Sequence, residues 1–506
     1  MNTDSINTYV VNEFATNDEI QAMSMDIDEA IERLGYGRFQ KDILLAAGLC
    51  FAADAMEVLL LSFLSIVLKA EWGLTDYQEN TVISIVFAGA AIGTLILSPL
   101  ADIIGRKIIF GVTAATISVF GILTAFCATY EWLLFARFMV GFGVGGLTVP
   151  FDTLAEFVPN SQRGANLLEI EYFWTAGTIS VPVVAWLTLG DSAYFESWQL
   201  FVLICSLPCV ASAVTAVLLV PESPRWLVAK GSHAEALRIL RGAAARNGLD
   251  PFEVYPNGTK ILELNQARES VCDLFSAKWL KITLLLWTVW GFLAILYYGV
   301  IIAVTIVFSS QVEIQDDNSQ EASYYFDFGA IFISASAEIV GLLMAMFTID
   351  QAGRIKTQTF SYLLGGSSCL LLLLVASING PRSVLLVFAF TSRMAMMGAS
   401  CTTWVSTSEI LSTDIRASGH GTANGMARLA GSVTPYIIND KASLNVIGLF
   451  IFSISVLTAA TAWHLPETAG QAMGGVHGTR RNEAKLGKIE SHNQSSAATA
   501  PYQTMQ

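Results

Sequence analysis

Between Ile43 and Leu68 the chain is almost continuously apolar, yet Asp54-Ala-Met-Glu57 stands in the middle of that run. A stretch of this length can span a hydrocarbon core, which takes about 20 residues. An ionised side chain at that depth costs about 3 kcal/mol on insertion scales. The i, i+3 spacing puts both acids on one helical face, so that face must look into protein and not at lipid. The chain is thereby confined to membrane folds with a polar interior. Asp54 and Glu57 become candidates for binding a substrate or a proton.

The rest of the chain agrees. It is 53% hydrophobic and 14% charged, against about 25% charged in soluble domains. The apolar runs predict an all-α membrane protein of twelve transmembrane helices, over 41–69, 79–101, 107–129, 131–156, 165–189, 197–220, 280–309, 325–349, 356–378, 381–410, 417–439 and 443–465. A membrane β-barrel would need alternating segments of about ten residues. With the N-terminus placed in the cytoplasm, the inner loops and tails hold 22 of the 28 Lys and Arg residues. That asymmetry puts both termini in the cytoplasm. No signal peptide is expected in the polar first 38 residues. Residues 467–506, polar and rich in Ser, Ala and Gly, read as a disordered cytoplasmic tail. Cys205 and Cys209 fall i, i+4, a spacing that more often packs than binds metal.

The chain also repeats itself. Asp102-Ile-Ile-Gly105-Arg106 recurs as Asp350-Gln-Ala-Gly353-Arg354, and Glu156 with Arg163 recurs as Glu409 with Arg416. Pro221-Glu222-Ser223 recurs as Pro466-Glu467-Thr468, and Arg137 recurs as Arg393. Offsets of 245 to 256 across these features imply two pseudo-symmetric six-helix halves related by an axis along the membrane normal. The expected domains are a cytoplasmic N-terminal segment 1–40, a first half 41–220, a cytoplasmic linker 221–279 and a second half 280–466, followed by the tail.

The loop Asp102-x-x-Gly-Arg-Lys107, the run Arg137-x-x-x-Gly141-x-Gly143-x-Gly145 and Pro221-Glu-Ser-Pro-Arg-Trp-Leu227 resemble the major facilitator superfamily. Gly35-Tyr-Gly-Arg-Phe-Gln40, Ala53-Asp-Ala-Met-Glu57, Ile170-Glu171-Tyr-Phe-Trp174 and Gly425-Met-Ala-Arg428 resemble its synaptic-vesicle-two-related branch, which neighbours organic cation/carnitine and nicotinate-type carriers. Two departures stand out: Ser98-Pro99 opens the first loop motif where Gly is usual, and Ile355 replaces the lysine in the second copy.

The resemblance implies a gating role for Asp102, Gly105, Arg106, Glu156 and Arg163, and for Asp350, Arg354, Glu409 and Arg416, whose charges would lock the two halves together. It also implies that the first helix lines a central cavity. Asp54 and Glu57 would then face Glu171, Glu338 and Arg428, with Trp174 and Tyr298 as aromatic walls able to hold a ring or an ammonium. Glu169 lies about 200° round the helix from Glu171 and is expected toward a vestibule.

The function expected is secondary active transport of a small organic ion by alternating access. An organic cation, a zwitterion and a proton-coupled aromatic carboxylate such as a nicotinate-like compound all fit. A receptor or regulator on the same fold, without turnover, is the alternative. No phosphate-binding loop, metal cluster or nucleophile motif is visible, so neither an enzyme nor a cofactor is expected. The expected partners are the solute, a proton as candidate coupling ion and the lipid bilayer of a plasma or vesicle membrane. Nucleic acid is not among them, and a monomer is expected.

Overall fold

The computed structural model describes residues 24–159, 163–189, 197–262, 271–316, 319–411, 413–439 and 441–468. Ahead of the bundle lie β1 (Ser24–Asp26) and α1 (Ile27–Leu34). The first half comprises α2 (Arg38–Trp72), α3 (Asp76–Ile104), α4 (Arg106–Thr124), the broken pair α5 (Tyr130–Gly145) and α6 (Thr148–Phe157), the short α7 (Arg163–Leu168), α8 (Ile170–Leu189) and α9 (Trp198–Leu219). A linker of α10 (Pro224–Ala229), α11 (His233–Arg246), α12 (Pro251–Val254) and β2 (Lys260–Leu262) follows. The second half comprises α13 (Leu280–Val307), the strands β3 (Ser309–Asp316) and β4 (Ser319–Phe326), α14 (Phe328–Gln351), α15 (Arg354–Ser377), α16 (Arg382–Ile410), α17 (Thr413–Ile437) and α18 (Leu444–Trp463).

Every apolar run read from the sequence is helical. Eleven of these helices are long and apolar enough to cross a membrane. The exception is α17, which carries Arg416, His420, Asn424 and Arg428. It packs on α13 within its own half and on α3 across the interface, and its His420, Asn424 and Arg428 are buried.

Packing repeats as the sequence does. In the first half α2 packs on α8 and α9, α3 on α5, and α4 on α5 and α9. In the second, α13 packs on α17 and α18, α14 on α16, and α15 on α16 and α18. The two halves meet chiefly where α3 touches α17 and where α14 touches α8, one contact being the symmetry mate of the other. Within each half, glycine permits backbone contact. A Cβ on Gly141 of α5 would lie 1.9 Å from the Val86 carbonyl oxygen of α3, and one on Gly341 of α14 would lie 2.2 Å from that of Met394 in α16.

The N-terminal segment and the linker, expected to be separate, form one small body. β1 pairs in parallel with β2, Met25 opposite Ile261. Met25, Ile31 and Leu34 pack with Leu240 and Tyr255 in one apolar cluster, and the Tyr255 hydroxyl donates to the Ala30 carbonyl at 2.6 Å. Arg225 pairs with Asp28. This body is fastened to the first half. Arg246 bonds Asp42 at 2.8 Å, the Phe39 amide donates to Asn247 at 2.8 Å, and the Tyr36 hydroxyl donates to Glu169 at 2.7 Å. Burial, then the hydrogen bond and charge of Glu169, push the Tyr36 hydroxyl well above its ordinary range, so it stays a donor. At the opposite end, the segment between α13 and α14 is the antiparallel hairpin β3–β4. The two ends are called the linker face and the hairpin face below. The tail beyond Thr468 lies outside the described residues.

Candidate functional site

At the interface of the halves lies a cavity of about 60 Å³. Phe51 and Asp54 of α2 and Glu171 and Trp174 of α8 form one side. Trp290, Tyr297 and Tyr298 of α13, Trp404 of α16, and Asn424 and Arg428 of α17 form the other. The pairs α2·α8 and α13·α17 are symmetry-related, so the cavity sits on the pseudo-twofold axis.

The Asp54 carboxylate accepts from Arg428 Nη2 at 3.2 Å, joining the two halves, and Arg428 Nη1 donates to the Tyr298 hydroxyl at 3.3 Å. Asp54 is 2% exposed, so this is a buried, paired charge. Glu171 also lines the cavity and is 7% exposed. Among the described residues nothing donates a hydrogen bond or pairs an ion with it. Trp174 Nε1 donates to the Tyr297 hydroxyl at 2.8 Å, which in turn donates to Glu338 at 3.0 Å. Glu338 is 1% exposed and pairs with Arg393 at 2.5 Å. It reaches the cavity only through Tyr297.

Glu57 departs from its expected place. It is not among the residues lining the cavity; its carboxylate lies against Arg137 of α5, inside the first half. Three residues of helix turn the side chain to within about 60° of Asp54. On a helix packed on every side, that suffices to give one acid to α17 and the other to α5. Arg137 and Arg393, matched by the sequence repeat, thus each hold a buried glutamate. The first-half partner comes from α2 and the second-half partner from α14.

At the linker face each half carries its own charge cluster. Arg106 reaches Asp102 at 2.9 Å, Glu156 at 3.2 Å and Asp152 at 4.0 Å. Arg354 reaches Asp350 and Glu409, both at 2.9 Å. These pairs close within a half and not between halves as expected, because Arg106 and Arg354 begin helices that lie beside α5–α6 and α16 of their own repeat. The side chains of Arg163 and Arg416 lie outside the described residues.

Glu222 and Glu467, read from the sequence only as repeat markers, have a clear task. Glu222 accepts from the Arg106 and Lys107 amides at 2.7 and 3.2 Å. Glu467 accepts from those of Arg354 and Ile355 at 2.9 and 3.1 Å. Each carboxylate caps the positive end of a helix. Gly105 and Gly353 make room for them: both have positive φ, 124° and 90°, and a Cβ would stand 2.4 and 2.6 Å from the respective carboxylate. The recurring Pro-Glu-Ser/Thr was the available signal, since a carboxylate kept beside two helix starts suggests a cap.

Vestibules flank the cavity. One of about 250 Å³ at the linker face is lined by Asp102, Arg106, Asp152 and His420. One of about 310 Å³ at the hairpin face is lined by Lys69, Glu79, Asn439 and Lys441. Thr148 and Trp404 border both the cavity and the linker-face vestibule. Trp404 meets Phe51 and Phe151 of the first half and Trp290 and His420 of its own, at ring separations of 4.6–6.5 Å. An aromatic cluster therefore stands between the two spaces. Among the described residues no cluster of three or more His, Cys, Asp or Glu is arranged to hold a metal.

Residues 12–477 match the Sugar (and other) transporter family. The chain is 32% identical over 480 residues to the synaptic vesicle 2-related protein of Xenopus laevis, covering 92% of this chain and 85% of that one. It is 31% identical to organic cation/carnitine transporter 7 of Arabidopsis thaliana, covering 81% and 87%. Among solved structures, the xylose transporter XylE from E. coli in a partially occluded inward-open conformation superposes with TM-score 0.67 at 18% identity, over 86% of this chain and 99% of that one. The same fold in the proton:xylose symporter XylE bound to 6-bromo-6-deoxy-D-glucose gives TM-score 0.65 at 19% identity, over 88% and 100%. With its paired six-helix halves and the cavity between them, this chain belongs to the sugar (and other) transporter family and is a multi-pass membrane transporter of the major facilitator fold, not an enzyme.

Proposed function

We propose that the protein is a secondary active transporter of a small organic ion, and that its halves rock about the central cavity to expose it to each side of the membrane in turn. The observation that carries this reading is the Asp54–Arg428 pair, which spans the two halves in the cavity between them. A charged substrate entering there competes for one of the partners, so binding and the contact between halves are linked. Asp54, Glu171, Arg428, Trp174 and Tyr298 form the binding wall. Glu57, held by Arg137 beside but outside that wall, is suited to carry a coupling proton. The name of the solved neighbour, a proton:xylose symporter, supports the same coupling. Glu338 supports the wall through Tyr297. The Arg106 and Arg354 clusters brace each half at the linker face, so that the halves move as units.

The linker face, with most of the basic residues, is assigned to the cytoplasm together with both termini. The naming of the synaptic vesicle 2-related relative favours an intracellular vesicle membrane.

The test is uptake into proteoliposomes of organic cations, zwitterions and pyridine-type carboxylates, with and without a pH gradient. Gradient-driven accumulation of at least one class is expected. Asp54→Asn should lose both exchange and accumulation, whereas Glu57→Gln should exchange but not accumulate. Normal accumulation by Glu57→Gln would remove the proton from Glu57. An absence of gradient-sensitive uptake for every compound would sink the transporter reading.

A further inference from the structure

Three charged side chains line the central cavity: Asp54, Glu171 and Arg428. Asp54 and Arg428 neutralise each other, and the Glu338–Arg393 pair behind the wall is balanced as well. Glu171 remains, 7% exposed and with no hydrogen-bond donor or counter-ion among the described residues. A carboxylate facing a pocket offers several acceptor sites to whatever enters it. With its acids ionised, the cavity lining therefore carries an excess of one negative charge, facing aromatic walls.

From this charge count we infer that the substrate is a protonated amine that keeps at least one N–H, with its ammonium seated on Glu171 and its apolar part against Trp174 and Trp290. The inference rests on the transporter reading and names the substrate class of that same cavity. An organic anion fits less well. It would add a negative charge beside Asp54 and Glu171, with Arg428 the one cation lining the pocket. A quaternary ammonium also fits less well. The aromatic faces attract its charge, but it carries no N–H to satisfy the Glu171 oxygens.

The experiment compares three probes of one skeleton on the full chain in proteoliposomes: phenethylamine, its N,N,N-trimethyl analogue and 3-phenylpropionate. Each is measured by counterflow and by the shift it causes in the melting temperature of the detergent-solubilised protein. Phenethylamine is expected to exchange at least tenfold faster than the other two and to raise the melting temperature. Glu171→Gln should lose amine counterflow at least tenfold and show no amine-induced shift. It should melt no lower than wild type without ligand, since it removes an unpaired charge. Glu171→Asp should keep the preference for amine over trimethylammonium at reduced affinity. Faster exchange of the carboxylate, equal exchange of the amine and its trimethyl analogue, or a Glu171→Gln variant that still exchanges amine would each overturn the assignment while leaving the transporter reading intact. If no compound of any class moves, both readings fall together.

Discussion

Asp54 and Glu57 are three residues apart, yet one crosses to the opposite half and the other stays at home. Their chemistry therefore divides by partner and not by depth in the membrane. Asp54→Asn leaves the Arg428 charge buried with neutral acceptors alone, the new amide oxygen and the Tyr298 hydroxyl. Removing one partner of a buried pair outright costs about 3–5 kcal/mol; the amide keeps an acceptor in place, so thermal unfolding in detergent should show a loss up to that scale. Asp54→Asn combined with Arg428→Gln should recover much of it, because neither charge is then left alone. A double variant no more stable than Asp54→Asn would show that the two side chains do not interact. The presence of costly acids in the first helix was legible in the sequence, as was the pairing of Arg137 with Arg393 by repeat. Which arginine each acid meets was not, because 60° of helix rotation is decided by neighbours separated from it by tens to hundreds of residues.

At the scale of elements, two devices hold helix ends. Glu222 caps α4 and Glu467 caps α15, each through a glycine of positive φ. Gly105→Ala adds both a strained backbone and a Cβ 2.4 Å from the Glu222 carboxylate. It should destabilise the first half by about 1–3 kcal/mol, read as a lower melting temperature, and Gly353→Ala should do the same to the second half. The other device lies at the hairpin face, where Asp327 caps α14 and takes two hydrogen bonds from Arg382, at 2.5 and 2.9 Å. Those bonds, outweighing burial, hold the Asp327 carboxyl below its ordinary range near about 3.9. A lowered value means that the contribution is complete above the ordinary range and fades as pH falls through the lowered one. The site is partly solvated, so the clamp adds less than about 1 kcal/mol. As pH falls below the ordinary carboxylate range the gap in melting temperature between wild type and Asp327→Asn should narrow, and a gap that widens on acidification would contradict this. The helix spans were legible because each apolar run had to be helical in lipid. The body formed by β1, α1 and the linker was not, since its short amphipathic pieces are stable only against each other.

For the whole molecule, alternating access requires the contacts between halves to break and reform. At the hairpin face, the Thr81 and Tyr436 hydroxyls lie 3.0 Å apart across α3 and α17, with the Tyr77 ring 5.8 Å from that of Tyr436. Thr81→Cys with Tyr436→Cys, joined by a short thiol crosslinker, should stop exchange and recover it on cleavage, with membrane insertion unchanged. Exchange that continues in the fully crosslinked protein would mean that this seam does not open. By itself the sequence determined a membrane protein of two repeated sets of six helices, because hydrophobic length and recurring loop motifs are local properties that neighbours cannot erase. Only the tertiary structure decided that Asp54 reaches Arg428, that Glu57 serves Arg137 and that Glu171 is left with an open valence. Those facts depend on how two halves rotate and dock, and the docking energy is spread over many weakly specific contacts that no single motif records.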